Sequence, residues 1–292
     1  MLIIAGSGAS KLGRDVAALK NSDLVEFEER KFPDGERYLD LTRNCKGEVV
    51  SIIQSTYRDP DGLLMEFVML ADAAHGAGAA SITGVFPYLA YLRQDERFKQ
   101  GEALSSRVFA RLIDSSGTSK LFVVDPHLHR THDLGQLFTT PAVSLSAMKD
   151  LASYASSNFS LVDPLVVAPD VEGSQWASKV ASALGAESAT ATKVRLGDAS
   201  VKMDFEGPSA DGRDVLLVDD IVSTGGTLAG IATILKKTGA RRVIALVTHG
   251  LFAPGAYERM IASGIDHVVT TDTVPNDSAV VSVAPLIARS LG

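Results

Sequence analysis

The sequence predicts an α/β protein with two similar domains, each a mainly parallel β-sheet flanked by helices. Short runs rich in Val, Ile and Leu alternate with helix-length amphipathic segments along the chain. This alternation is typical of parallel α/β folds. The runs are continuously apolar rather than alternating with polar residues, which indicates strands that are buried on both faces.

The predicted strands are the apolar runs that have turn residues at both ends. The predicted helices are the amphipathic segments between these runs. Strands are expected at 2–5, 49–54, 81–89, 121–126, 164–170, 215–220, 242–250 and 267–272. Helices are expected at 62–76, 101–113, 173–184, 227–238 and 254–262. The passage between domains is predicted at 139–143, just before a further helix, so the domains are predicted over 1–143 and 144–292.

The composition indicates a globular protein and argues against several classes of partner. With 46% hydrophobic and 22% charged residues, the chain can build a sizeable core. The net charge is −7 and no long Lys/Arg run occurs, so we expect no binding to nucleic acid polymers. No apolar run approaches the roughly 20 residues that a membrane span needs. The start MLIIAG is too short for a signal peptide, and a single Cys45 fits a reducing compartment, so we expect a cytoplasmic protein.

The stretch VLLVDDIVSTGGTLAG (215–230) predicts a phosphate-binding loop. An apolar strand ends in Asp219 and Asp220, and ligands of open α/β sheets bind beyond such strand ends. The small residues that follow lead into a helix, where curled amides and the helix N-terminus favour an anion. Carboxylates would repel a phosphate, so we expect them to face sugar hydroxyls or a hydrated Mg²⁺. The residues expected to hold the phosphate are Ser223, Thr224, Gly225, Gly226 and Thr227.

Other interpretations of glycine-rich segments are weaker. The segment 215–230 could also be a capped helix that follows an exposed acid pair. This alternative is weaker, because an ordinary helix start does not require an apolar run, two acids and an STGGT loop in succession. No Gly-Lys-Ser/Thr sequence occurs, which excludes a Walker loop. The segment AGSGASKLG (5–13) has Lys11 where a dinucleotide-binding motif needs its third glycine. A helix start capped by Ser7 or Ser10 is the expected alternative there.

The segment VLLVDDIVSTGGT resembles the phosphoribosyl-pyrophosphate (PRPP) binding motif of the type I phosphoribosyltransferase fold. Two enzyme groups share this fold: the transferases that consume PRPP, and the ribose-phosphate pyrophosphokinases that make it. The motif alone does not separate them. The resemblance implies that both domains are phosphoribosyltransferase-like, with ATP on the N-terminal side and ribose 5-phosphate on the C-terminal side.

The N-terminal half carries segments similar to those of the pyrophosphokinases. FPDGE (32–36) matches the family's FxDGE, and the continuation ERFKQGE resembles archaeal-type members. The resemblance implies that adenine stacks on the aromatic side chain and that an arginine meets the phosphates. In the family the FxDGE loop reaches across from a neighbouring subunit, which implies at least a homodimer. The implied ATP-binding residues are Phe32, Asp34, Glu36, Arg93, Gln94 and Asp95, with Arg97 and Lys99 as further phosphate partners.

Without the resemblance these two segments are less specific. FPDGE is then a Pro-Asp-Gly turn between strands, and the charge cluster over 93–99 is a solvated loop before a helix.

A metal is implied by two further segments. The sequence VDPH contains the family's D-x-H at Asp125 and His127, and the spacing beyond departs from the family, which leaves His129 and His132 without an assigned role. Asp170 matches the aspartate of the family's S-P-D-x-G-G, although Glu172 replaces a glycine. The resemblance implies that Mg²⁺ is the cofactor and that His127 and Asp170 are its candidate ligands.

The segment ATKVRLG (191–197) completes the resemblance. Lys193 and Arg195 are two residues apart, so they share one side of an extended segment. They match the K-x-R of the pyrophosphokinase catalytic loop, which implies a catalytic role, although exposed loop cations are common.

The sequence therefore predicts transfer of the pyrophosphoryl group of ATP to ribose 5-phosphate, with PRPP and AMP as products. Two alternatives remain: a nucleobase phosphoribosyltransferase, and a non-enzymatic protein that binds PRPP or nucleotides and regulates a partner.

Overall fold

The computed structural model describes residues 1–128, 133–195 and 201–292, and it leaves the side chains of 192–195 and 201–206 undescribed. The chain divides into two compact units. Unit 1 comprises Met1–Leu145 together with Ser282–Gly292, and unit 2 comprises Ser146–Val281. The predicted boundary after residue 143 lies close to this division. The prediction assigned the last segment to the C-terminal domain, whereas here it belongs to unit 1.

Unit 1 contains a parallel sheet and a separate antiparallel hairpin. The sheet has the order β2-β1-β5-β6-β7-β8, and every pairing in it is parallel. Its strands are β1 Leu2–Ala5, β2 Asp23–Val25, β5 Val49–Ile53, β6 Ser81–Phe86, β7 Lys120–Val124 and β8 Ala142–Leu145. The hairpin consists of β3 Phe27–Lys31 and β4 Arg37–Leu41. The helices are α1 Ser10–Lys20, α2 Pro60–Gly76, α3 Ser105–Asp114 and α8 Ala284–Ser290.

Unit 2 contains a larger mixed sheet in the order β11-β10-β9-β12-β13-β14-β15. The β10–β11 pairing is antiparallel and the others are parallel. The strands are β9 Leu165–Ala168, β10 Glu187–Arg195, β11 Val201–Glu206, β12 Asp214–Val222, β13 Arg242–Gly250, β14 His267–Thr271 and β15 Ala279–Val281. The helices are α4 Met148–Asn158, α5 Ser174–Leu184, α6 Gly226–Lys237 and α7 Ala256–Ala262.

Two apolar cores cover the two faces of the unit 2 sheet. In β12, Val215 and Leu217 join one core, whereas Leu216 and Val218 join the other. Alternate residues of a strand point to opposite faces, so a strand covered on both sides must be apolar throughout. This confirms the predicted α/β class with helices on both sides of a mainly parallel sheet.

The predicted elements occur in the structure with shifted ends. The predicted strand 81–89 ends at Phe86, because Pro87 has no backbone N–H for the ladder. The predicted helix 101–113 begins only at Ser105. Several short elements were not predicted, among them β2, β15 and α8. No helix within the described ranges has the length and hydropathy to span a bilayer.

The prediction that Ser7 or Ser10 caps the first helix is wrong. A short 3-10 turn at Ser7–Ala9 precedes α1, and no described side chain caps either element. The Ser7 hydroxyl instead donates to Glu66 Oε2 at 2.6 Å, and Ser10 Oγ accepts from Arg14 Nη2 at 2.6 Å. The Ser7 hydroxyl, which the sequence predicted to cap the helix, is therefore bonded to the buried Glu66 carboxylate instead.

Candidate active site

The predicted phosphate loop lies at the carboxyl end of β12 and leads into α6. The amide of Leu251 donates to Val222 O at 2.9 Å, and the amide of Ala253 donates to Ser223 O at 2.9 Å. The Arg259 side chain holds the next carbonyl, since its Nη1 donates to Thr224 O at 2.5 Å. Sequence reasoning missed Arg259, because it is one of many basic residues on helices and only the fold brings it to the loop.

The turn into α6 requires glycine at position 225. Gly225 has φ +69°, a left-handed conformation that L-residues rarely adopt. A Cβ atom there would lie 2.8 Å from Met260 Cγ, and Met260 is fully buried. The amides of the first turn of a helix have no intrahelical acceptor. The loop therefore places the amides of a helix start and its positive end where an anion could bind, and its role in binding a phosphate stays a prediction.

We expect Gly225→Ala to destabilise unit 2 more than Gly185→Ala. Gly185 has a similar φ of +64°, but nothing lies within 4 Å of its missing Cβ. The left-handed backbone should cost each variant about 1–2 kcal/mol, and crowding should add about 1–3 kcal/mol at Gly225 alone. Urea unfolding followed by the fluorescence of Trp176, the one tryptophan of the chain, measures both. Equal losses would contradict the crowding argument.

The acid pair belongs to a cluster of three carboxylates in unit 2. Asp220 is buried, and its amide donates to Asp219 Oδ1 at 3.0 Å. Burial raises the pKa of Asp219 well above its ordinary value, and the carboxylates of Asp220 and Asp170 raise it further. Asp170 follows β9, the strand next to β12, and its Oδ1 accepts from the Gly173 amide at 2.9 Å. Three acids this close favour a cation or a row of hydroxyl donors.

The described residues contain no group of three or more His, Cys, Asp or Glu side chains arranged to hold a metal. Mg²⁺ commonly keeps several waters and takes one or two carboxylates together with substrate phosphates. The acid cluster fits a metal bound in that manner, because burial and two neighbouring carboxylates raise the pKa of Asp219, and a nearby cation would offset that cost of charging it. His127 is half-buried in unit 1, after the strand β7. His129 and His132 lie outside the described residues.

The residues Phe32, Asp34 and Glu36 form the exposed turn of the β3–β4 hairpin. The Phe32 amide donates to Glu36 O at 2.8 Å, and Asp34 Oδ1 accepts from the Glu36 amide at 3.2 Å. The Arg30 guanidinium stacks 4.6 Å from the centre of the Phe32 ring, which remains 38% exposed. The predicted turn between strands is therefore confirmed, and it presents an aromatic ring to solvent.

The charged segment 93–99 is a loop that leads towards α3. Glu102 organises its end, since Oε2 accepts from the amides of Phe98 at 2.8 Å and Lys99 at 3.2 Å. The Arg97 Nε also donates to the Glu102 carbonyl at 2.8 Å. Sequence reasoning missed Glu102, because an acid within a charge cluster gives no sign of which amides it will bind.

Three candidates in this loop differ in exposure and in partners. The guanidinium-bearing Arg93 is exposed and Asp95 is half-buried. Gln94 Oε1 accepts from Ser105 Oγ at 2.5 Å, so this side chain is engaged at the start of α3. A ligand that used the Gln94 carbonyl oxygen would have to share or displace that hydroxyl.

The aspartate of the D-x-H segment is strained and buried. Asp125 has φ +35° and is fully buried, and its amide donates to Leu145 O at 2.8 Å. A non-glycine residue in this conformation costs of order 1–3 kcal/mol, and such strain clusters at functional sites. The segment lies at the carboxyl end of β7, where α/β sheets bind ligands.

The predicted catalytic pair lies at the end of β10. Lys193 pairs with Met203 and Arg195 pairs with Val201 across the antiparallel β10–β11 ladder. Both residues are therefore in extended backbone, as expected, and alternate residues of a strand share one face. Their side chains lie outside the described part of the structure, as do residues 196–200. Their catalytic role stays a prediction.

Family models and relatives cover nearly the whole chain. The N-terminal domain of ribose phosphate pyrophosphokinase matches residues 1–117, and a phosphoribosyl transferase domain matches residues 134–286. A ribose-phosphate pyrophosphokinase of Methanothermobacter thermautotrophicus is 36% identical over 98% of this chain and 98% of its own length. One from Methanopyrus kandleri is 37% identical over 100% of this chain and 98% of its own.

A solved structure has a similar fold over the same length. The phosphoribosylpyrophosphate synthetase from Mycobacterium smegmatis superposes with a TM-score of 0.88 at 29% sequence identity. The similarity covers 99% of this chain and 97% of that one.

Proposed function

Because the chain belongs to the ribose-phosphate pyrophosphokinase family, we propose that it transfers the pyrophosphoryl group of ATP to the C1 hydroxyl of ribose 5-phosphate. The products are PRPP and AMP. One observation carries this proposal: the same chain contains two features. The first is the proposed phosphate loop with the acid pair before it, and the second is an N-terminal half of pyrophosphokinase type. Transferases that consume PRPP share only the first of these two features.

The ribose 5-phosphate side is assigned to unit 2. The amides and hydroxyls of the loop from Ser223 to Thr227 receive the 5-phosphate, because they combine several donors with a helix N-terminus. Asp219 and Asp220 accept hydrogen bonds from the ribose hydroxyls. The loop backbone, held by Arg259 and by the segment 251–253, is preorganised for this task. Preorganised donors cost little further ordering when the ligand binds.

The ATP side is assigned to unit 1. Adenine stacks on Phe32, whose ring is exposed at the hairpin turn. Asp34 and Glu36 accept from the base or ribose, and Arg93 donates to the phosphates. Gln94, Asp95, Arg97 and Lys99 complete this set. In this assignment the hairpin turn serves the site of a neighbouring subunit, so the active protein is at least a homodimer.

The chemical step is an in-line substitution at the β-phosphorus of ATP. The C1 oxygen forms a bond to the β-phosphorus, the bond from that phosphorus to the α–β bridging oxygen breaks, and AMP leaves with the electron pair. The C1 hydroxyl loses its proton to solvent. Catalysis of such a step depends on alignment and on neutralising the equatorial oxygens. Lys193 and Arg195 supply that positive charge.

Bound Mg²⁺ would neutralise further charge on the ATP phosphates. His127 and Asp170 are the residues proposed to contribute to holding it, and Asp170 belongs to a carboxylate cluster whose chemistry suits a hydrated divalent cation. The proposed compartment is the cytoplasm, in keeping with a single cysteine that is buried.

Incubation of the purified protein with Mg-ATP and ribose 5-phosphate tests the function. We expect AMP and PRPP in equal amounts, with label from the β-phosphorus of ATP recovered in PRPP. Omission of ribose 5-phosphate is the control and should abolish AMP formation. Consumption of PRPP that requires a nucleobase would select a transferase instead, and ligand binding without turnover would select a regulatory protein.

A further inference from the structure

A buried carboxylate in unit 1 joins three separate segments of the chain. Glu66, on α2, is fully buried and accepts four hydrogen bonds. Its Oε1 accepts from the Ser7 amide at 2.7 Å and from Gln54 Nε2 at 2.8 Å. Its Oε2 accepts from Ser7 Oγ at 2.6 Å and from Arg37 Nη1 at 2.8 Å. A buried carboxylate is tolerated only when it is paired and hydrogen-bonded in this way.

The glycines of AGSGAS make room for this cluster. A Cβ atom at Gly6 would lie 2.6 Å from Gln54 Oε1, and one at Gly8 would lie 2.1 Å from Ser55 O. The Gly8 amide donates to Gln54 Oε1 at 3.0 Å. The glycine motif that the sequence left without a function is therefore explained by the close approach of backbone to Gln54. Glu66, Ser7, Gln54 and Arg37 thus form a hydrogen-bonded cluster, called the anchor below, in which both oxygens of the Glu66 carboxylate have two donors each.

The charged partner of Glu66 in this anchor belongs to the hairpin. Arg37 is the first residue of β4 and directly follows the turn 32–36. Its Nη1 lies 2.8 Å from Glu66 and 2.9 Å from Glu29 Oε1 on β3, so one guanidinium ties both hairpin strands to α2. The hairpin forms a sheet of its own, and most of its residues are exposed or half-buried. The Arg37–Glu66 ion pair therefore lies directly beside the turn 32–36 and can fix its orientation relative to α2.

We propose that Glu66 and Arg37 are positioning residues for nucleotide binding: the buried Glu66 carboxylate fixes Arg37, and Arg37 fixes the turn that carries Phe32, Asp34 and Glu36. This inference rests on the assignment of ATP to that turn under the proposed function. Neither residue is placed against the nucleotide itself. Loss of Arg37 would leave the turn formed and the hairpin packed on the core through Phe27, Leu39 and Leu41. It would loosen the orientation of the turn, which weakens nucleotide binding through ordering entropy.

Arg37→Met tests the proposal, because methionine keeps the apolar stem and removes the charge. We expect the dissociation constant for Mg-ATP to rise roughly tenfold, because nucleotide binding must then order the released turn, and that for ribose 5-phosphate to change by less than about twofold. Amide hydrogen exchange should accelerate in peptides covering 27–41 and stay unchanged elsewhere in unit 1. Arg37→Lys should recover part of the ATP affinity, because it restores a positive charge.

The matched control is Arg43→Met. Arg43 also pairs with an acid, Asp23 at 2.7 Å, but the two side chains are 44% and 67% exposed. This variant should leave ATP affinity and exchange unchanged. Glu66→Gln should reproduce the Arg37→Met phenotype, and the double variant should be no worse than either, because the two residues act as one unit.

Several results would overturn the inference. Unchanged ATP affinity in Arg37→Met would do so, and so would an equal loss of affinity for both substrates or accelerated exchange across all of unit 1. If Glu66→Gln fails to fold, Arg37→Met still decides. Failure of the proposed function is visible separately, since the wild type would then bind Mg-ATP without forming AMP and PRPP. Absence of Mg-ATP binding by the wild type would overturn both.

Discussion

Replacing Lys193 by alanine is expected to lower kcat by roughly a hundredfold or more, while the affinity for ribose 5-phosphate stays nearly constant. The reason is electrostatic. A preorganised cation that faces charge developing on the transferring group stabilises the transition state by on the order of 3 kcal/mol, and ground-state binding gains little from it. Steady-state kinetics with each substrate varied in turn, and single-turnover formation of AMP, measure this effect.

Two controls make the Lys193 result specific. Lys193→Arg keeps the charge, so it should retain more activity than the alanine variant. Lys149→Ala removes an exposed lysine at the start of α4 and should leave kcat unchanged. A Lys193→Ala enzyme with wild-type kcat would remove this residue from the catalytic machinery and leave Arg195 as the remaining candidate.

Replacing Asp220 by alanine is expected to raise KM for ribose 5-phosphate by about 10- to 100-fold, with ATP binding intact. A hydrogen bond to a charged group contributes about 1.5–3 kcal/mol, and the proposed role of Asp220 is to accept from a ribose hydroxyl. Asp220 is buried at 3% exposure, and it lies beside Asp219, whose pKa its charge helps to raise. We therefore expect its loss to affect the proposed sugar-binding side and to leave the turn into α6 in place.

Asp220→Asn separates binding from folding, since it keeps the volume of the buried side chain and removes its charge. It should show most of the KM increase with a wild-type unfolding transition. Asp277→Asn, at an exposed position of unit 2, is the matched substitution and should leave KM unchanged. A KM for ribose 5-phosphate that stays within about twofold of wild type in both Asp220 variants would contradict the assignment, since losing the carboxylate should cost far more.

Local sequence was enough to predict those parts of the fold, such as a buried strand and the turn after it, that depend on residues adjacent in the chain. The run 215–218 is apolar on both faces because β12 lies between two cores, and the small residues after the acid pair predicted the turn into α6. Residue order alone placed Asp219 and Asp220 before that turn. The short edge strands and α8 escaped prediction, because their few apolar residues become informative only once packed against a neighbour.

Sequence by itself determined the α/β class and the succession of strand, acid pair, turn and helix over 215–237, since a strand's burial and a turn's backbone are set by residues adjacent in the chain. Only the tertiary structure decided what holds these parts in place. Glu66 reaches Ser7, Gln54 and Arg37, Arg259 reaches Thr224, and Asp170 comes close enough to raise the pKa of Asp219. These contacts join residues that are far apart in the chain, and the energy of a buried charge is settled by its final neighbours rather than by its position in the sequence.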